Sequence, residues 1–150
     1  MQLLGTLITL SLLSIISADV ISVQQCSEGA LPVSVEVAGC HEQPCELTKG
    51  QDVDALIEFK ADRPLTALTP QIHASYFGIN IPFNLPDDRK DACTSLVGGT
   101  CPVSEGQDVK YELHVPVSTS YPSVSASVEL KLVDQDNNVV ICFRVDGKLV

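Results

Sequence analysis

The stretch Asp108–Ser123, DVKYELHVPVSTSYPS, decides how this chain is read. Val109, Tyr111, Leu113, Val115 and Val117 take every second position, with Lys110, Glu112 and His114 between them. A period of two puts the apolar side chains on one face of a pleated strand and the polar ones on the other. Pro116 and Pro122 have no N–H to give to a ladder, so the far end of this strand cannot be zipped into the middle of a sheet.

The same period recurs on both sides. Leu31, Val33, Val35 and Val37 alternate with Pro32, Ser34 and Glu36; Val53, Ala55, Ile57 and Phe59 repeat the pattern, as do Ile79, Ile81, Phe83 and Leu85. It returns in Val124, Ala126, Val128, Leu130 and Leu132 and, after the turn residues DQDNN, in Val139, Ile141, Phe143 and Val145. Each set is expected to face inward, and short strands are added near Val20–Val23 and Ile72–Tyr76. About seven or eight strands without a sustained helical stripe predict an all-β chain, an immunoglobulin-like antiparallel β-sandwich. Immunoglobulin domains pack a Trp on the bridge between their sheets, and the chain has none, so a variant of that plan is expected.

Composition bounds the rest. A length of 150 residues, 45% of them hydrophobic and 19% charged, suits one domain with a real core. Nineteen acidic against nine basic side chains leave a net charge of −10, which repels phosphate backbones and makes nucleic acid an unfavourable partner. The uncharged run Leu3–Ile16, followed by Ser17 and Ala18, is too short to span a bilayer and reads as a signal peptide over residues 1–18, leaving a domain from Asp19 to Val150 in a secreted, extracellular protein.

Six cysteines beyond that leader agree with export and favour three disulfides. Cys40 and Cys45 bracket CHEQPC and Cys93 and Cys101 bracket CTSLVGGTC, so two local closures cost least, which leaves Cys26 for Cys142.

Catalytic chemistry finds no foothold. The G-x-S-x-G elbow, the Walker loop and G-x-G-x-x-G are all missing. His41-Glu42 opens like a zinc-protease motif, but Cys45 stands where its second His belongs and Pro44 would break the required helix. His73 and His114 fall in the polar phase of strands. Asp134, Asp136 and Asn138 imitate the start of a calcium loop, yet Val139 stands where Gly must turn, so a hairpin turn is predicted. No C-x-x-C pair exists, and neither metal nor cofactor is expected.

Binding remains. GINIPFNLP, Gly78–Pro86, keeps the alternation while Pro82 and Pro86 forbid ladder bonds, so it must run at an edge or bulge. Two such strand ends could splay the sheets around an apolar cavity that takes an apolar guest. A solid core would carry the same pattern.

The succession CSEGALPVSVEVAGCHEQPCELTKGQ, IPFNLP, DACTSLVGGTCPVSEGQ, LHVPVSTSYPS and VVICFRVDGK resembles the small secreted Niemann-Pick type C sterol carriers of the ML-domain (lipid-recognition) family and, with them, the group-two mite allergens. The resemblance covers the chain from Val23 onward. It implies a sandwich around a ligand tunnel, the bridges Cys26–Cys142, Cys40–Cys45 and Cys93–Cys101, and no enzymatic step. The family's pocket-mouth Phe falls on Phe83, and the Val and Tyr of its P-V-x-x-x-Y-P-S segment on Val117 and Tyr121. Strand phase adds Ile81, Leu85, Val115, Val35, Ile57, Tyr76, Val128 and Ile141 as wall residues, each of which could equally be plain core.

The implied ligand is a sterol or fatty acid, passed passively to membranes or an acceptor protein by a monomer. Recognition of bacterial lipids is an alternative within the family, but it wants a basic rim that nine cations supply poorly. A hydrophobic semiochemical is another. No N-x-S/T sequon occurs, so the glycan that sorts the family's lysosomal members cannot be attached, and extracellular fluid is expected over the endosomal or lysosomal lumen.

Overall fold

The computed structural model describes residues 19–150, and the leader expected over residues 1–18 lies outside them. Nine strands follow in order among the described residues: β1 (Gln24–Gln25), β2 (Ser34–Val37), β3 (Cys45–Leu47), β4 (Asp52–Lys60), β5 (Thr69–Tyr76), β6 (Ile79–Phe83), β7 (Asp108–Pro116), β8 (Ser125–Val133) and β9 (Val139–Leu149). Two short 3-10 turns, Asp87–Arg89 and Ala92–Ser95, lie between β6 and β7.

The strands form two sheets. The larger runs β1-β9-β8-β5-β6 with β3 added in parallel to β9, and the smaller runs β2-β4-β7. All other pairings are antiparallel. Alternation decides which residues meet in the middle. Val35, Ile57, Phe59, Val109, Tyr111 and Leu113 of the small sheet pack with Ile72, Leu130, Leu132, Ile141 and Phe143 of the large one, all buried in one core. A bulge between Leu132 and Val133 takes Val140 out of register at the start of β9.

The three disulfides are Cys26–Cys142, Cys40–Cys45 and Cys93–Cys101, the set expected from loop closure and from the resemblance. The first spans 116 residues and fastens the segment after β1 to β9. The β8–β9 hairpin is built on Asp134. One carboxylate oxygen accepts from the N–H groups of Asp136 and Asn138, both at 2.9 Å, and the other from Arg63 Nη1 at 3.4 Å. This is the hairpin turn expected there.

Some inward assignments fail. Leu31 and Val33 precede β2 and are 44% and 73% exposed, because regular pairing with β4 begins only at Ser34. Near the amino end the expected Val20–Val23 strand reduces to a single bridge from Val20 to Glu36, and pairing with β9 starts at Gln24. Ile79 and Ile81 share the phase of Phe83 yet are 62% and 52% exposed. They sit on β6, the outermost strand of the larger sheet, and a facing sheet of three strands is too narrow to cover it.

Candidate ligand-binding cleft

The two proline-bearing segments end beside each other. β6 runs out through Phe83, Asn84, Leu85 and Pro86 to form one wall of an open cleft of about 500 Å³. β7 ends at Pro116 and continues through Val117, Ser118 and Thr119 to Tyr121 as the opposite wall. Gly50, Gln51 and Asp52, where the chain enters β4, complete the lining.

Local chemistry explains this placement. Pro82 sits on an edge strand, where a missing N–H costs little. Pro116 closes β7 opposite Asp52, yet Gly50 N donates to Val117 O at 2.6 Å and Val117 N to Gln51 O at 3.1 Å, so the backbone stays tied past the proline. Gly50 adopts φ of 82°, and a Cβ there would meet Thr119 Cγ2 at 3.1 Å, so this turn calls for glycine. The Ser118 hydroxyl accepts from Ser120 N at 3.1 Å, and Tyr121 N donates to Ser118 O at 3.3 Å, turning the chain so that Tyr121 comes back over the mouth.

The mouth combines an aromatic pair with polar side chains, Gln51, Asn84, Ser118 and Thr119 among them. Phe83 and Tyr121 stand edge to face with centroids 6.3 Å apart, while Leu85 and Val117 lie deeper at 6% and 7% exposed. Asp52 is the single charged side chain of the lining and forms an ion pair with Arg89 at 3.1 Å. Beyond the rim the Lys90 ammonium, 2.8 Å from Asp87, holds that carboxyl below its ordinary range.

The structure therefore brings together Phe83, Val117, Tyr121 and Leu85, and it separates the other residues assigned by strand phase. Val35, Ile57 and Ile141 are 1%, 0% and 2% exposed and lie in the closed core, with no free surface for a guest. Val115 and Val128 are partly buried against that core. Ile81 is out on the edge strand. Tyr76 belongs to a separate shallow depression of about 370 Å³ at the opposite end of β5, shared with Pro44 and Phe77. The opening is thus a cleft at one rim, where a tunnel along the middle of the sandwich was expected.

Sequence reasoning missed Gly50, Gln51, Asp52 and Asn84. The available signal was pairing: β4 begins opposite the end of β7, so whatever precedes Asp52 must lie beside Val117. The histidines stay outside the cleft. His41 Nδ1 meets Asp19 at 2.6 Å and His114 Nδ1 meets Asp54 at 2.5 Å, both on exposed surface.

Two facing sheets, three disulfides and an open cleft at one rim, lined by both apolar and polar side chains, define a stapled β-sandwich. The ML-domain profile matches residues 20–149, and the chain belongs to that family. It is 31% identical over 144 residues to the mouse protein named NPC intracellular cholesterol transporter 2, covering 95% of this chain and 94% of the relative. The mite group 2 allergen Pso o 2 of Psoroptes ovis is 28% identical over 150 residues, covering 98% and 99%. The crystal structure of a Niemann-Pick type C2 protein from Japanese carpenter ant superposes with a TM-score of 0.77 at 14% identity, over 87% of this chain and all of that one.

Proposed function

We propose that this protein is a secreted lipid carrier that takes a sterol or fatty acid at the Phe83–Tyr121 cleft and hands it on without covalent chemistry. The observation that carries the reading is the convergence of Phe83, Leu85, Val117 and Tyr121 on one cleft of about 500 Å³, within the roughly 300–1,000 Å³ of small-molecule sites. The mouse relative, named as an intracellular cholesterol transporter, supports the same class of cargo.

Energetics are sufficient. Removing ~400 Å² of apolar ligand surface from water at about 25 cal/mol/Å² supplies ~10 kcal/mol before association costs, enough for micromolar to nanomolar affinity. Because Ile57 and Val35 have no free surface, a guest larger than the cleft enters by parting the sheets behind Leu85 and Val117. The guest's polar end stays at the mouth beside Gln51, Asn84 and Thr119. Delivery proceeds by transient contact with a membrane or acceptor protein, a reading supported by the exposed Ile79 and Ile81 on the strand that carries Phe83. Three disulfides suit an oxidising compartment, in keeping with export.

The test is displacement of a fluorescent sterol, dehydroergosterol, by cholesterol and by oleate. Saturable binding that is weakened about tenfold or more in Phe83→Ala supports the cleft as the site. Absence of saturable binding of both lipids removes the proposal.

A further inference from the structure

Arg89 joins the two walls of the cleft. It ends the 3-10 turn Asp87–Arg89, which follows directly on Pro86 and so belongs to the wall that carries Phe83 and Leu85. Its Nη1 lies 3.1 Å from Asp52 Oδ2 at the start of β4 and donates to the backbone oxygen of His114 in β7 at 3.2 Å. One nitrogen thereby spans from the loop that follows β6 to two paired strands of the smaller sheet, the central β4 and the edge strand β7. Of the charges nearby, Asp87 is paired with Lys90 at 2.8 Å and Asp54 with the His114 ring at 2.5 Å. The Arg89 and Asp52 side chains are 31% and 43% exposed, so water and salt can reach the contact.

We propose that Arg89 is a clasp, a positioning residue that holds the mouth narrow and sets how fast a guest passes, without touching the guest. The inference rests on the carrier reading. Leu85 and Val117 are nearly buried, so a guest moves through only when the walls separate. Separating the Pro86 side from β4 and β7 breaks both Arg89 contacts. The contacts are intact before and after passage and lost at its midpoint, so they slow entry and exit alike and leave affinity almost unchanged.

The experiment loads wild type, Arg89→Met and Arg89→Lys with N-phenyl-1-naphthylamine and follows entry by mixing and exit to excess phosphatidylcholine vesicles by stopped flow. Arg89→Met is expected to exchange probe roughly three- to tenfold faster in both directions with its Kd within about twofold, and Arg89→Lys to fall between. Raising NaCl from about 0.01 M to about 1 M is expected to speed exit from wild type, a readout that needs no folded variant, and to leave exit from Arg89→Met unchanged. Equal rates in wild type and Arg89→Met, or salt-insensitive exit from wild type, overturn the clasp, as does a weakened Kd at an unchanged entry rate. A wild type that takes up no probe overturns the carrier reading beneath it.

Discussion

Phe83 and Tyr121 come from different sheet edges, 38 residues apart in sequence, and meet edge to face at 6.3 Å with their planes at 75°. The geometry sets the positive edge of one ring against the negative face of the other and is worth about 0.5–1.5 kcal/mol beyond buried area. The pair spans the mouth, so each ring is expected to support the other's contact with a guest. Phe83→Ala and Tyr121→Ala should each weaken dehydroergosterol binding, and the double variant should lose less than the sum, by about 0.5–1.5 kcal/mol of coupling. Strict additivity in the titrations would place the two rings in independent roles.

Asp134 is the one buried charged residue among the described residues, its carboxylate fully enclosed. Replacing it with Ala strands two backbone N–H groups and removes the partner facing Arg63. Hydrogen bonds to charged groups contribute about 1.5–3 kcal/mol, so Asp134→Ala is expected to lower unfolding free energy by about 2–4 kcal/mol in a urea titration. The loss should leave affinity for lipid untouched, because the hairpin is not part of the cleft lining.

Much of this architecture can be read from residues and some cannot. The period of two in Val109–Leu113 and in Val128–Leu132 identifies strands and their inner faces, and Pro82 and Pro116 mark the two ends that cannot zip. Phase says which side of a strand is apolar, and it is silent on whether another sheet reaches that side. Ile79 and Ile81 are exposed for that reason, since only the width of the small sheet decides their burial. Val35, Ile57 and Ile141 show the same limit from the other direction. Inward phase cannot separate a core side chain packed all round from one that walls a void. The motif of the resemblance points to Phe83, Val117 and Tyr121, which border one cleft, whereas the proximity of Asp52 to Arg89 follows from register and from a short turn without periodicity.

The disulfides should contribute unequally. In the chain-entropy view, stabilisation grows with the loop closed, about 4.7 kcal/mol for one of roughly a hundred residues and near 2 kcal/mol for one of about five. Cys26 and Cys142 are separated by 116 residues and Cys40 and Cys45 by 5. The Cys26→Ser/Cys142→Ser pair is therefore expected to lower stability by at least twice as much as Cys40→Ser/Cys45→Ser, read from urea midpoints at equal m.

Burial raises the Tyr111 phenol above its ordinary value of 10.0. The folded state thus holds the proton more tightly than the unfolded chain, so this contribution is intact below about pH 10 and declines as pH rises beyond it. Wild type is expected to lose stability above pH 10, and Tyr111→Phe to lose less over the same interval, in thermal melts followed by far-UV circular dichroism. Parallel alkaline slopes for the two proteins would assign the effect to other groups.

Native mass spectrometry of the purified protein, before and after incubation with vesicles containing cholesterol and oleate, tests the central claim most directly. A complex of one chain with one sterol- or acyl-sized apolar molecule, diminished in Phe83→Ala, is the expected result. Bare polypeptide under both conditions would contradict the account.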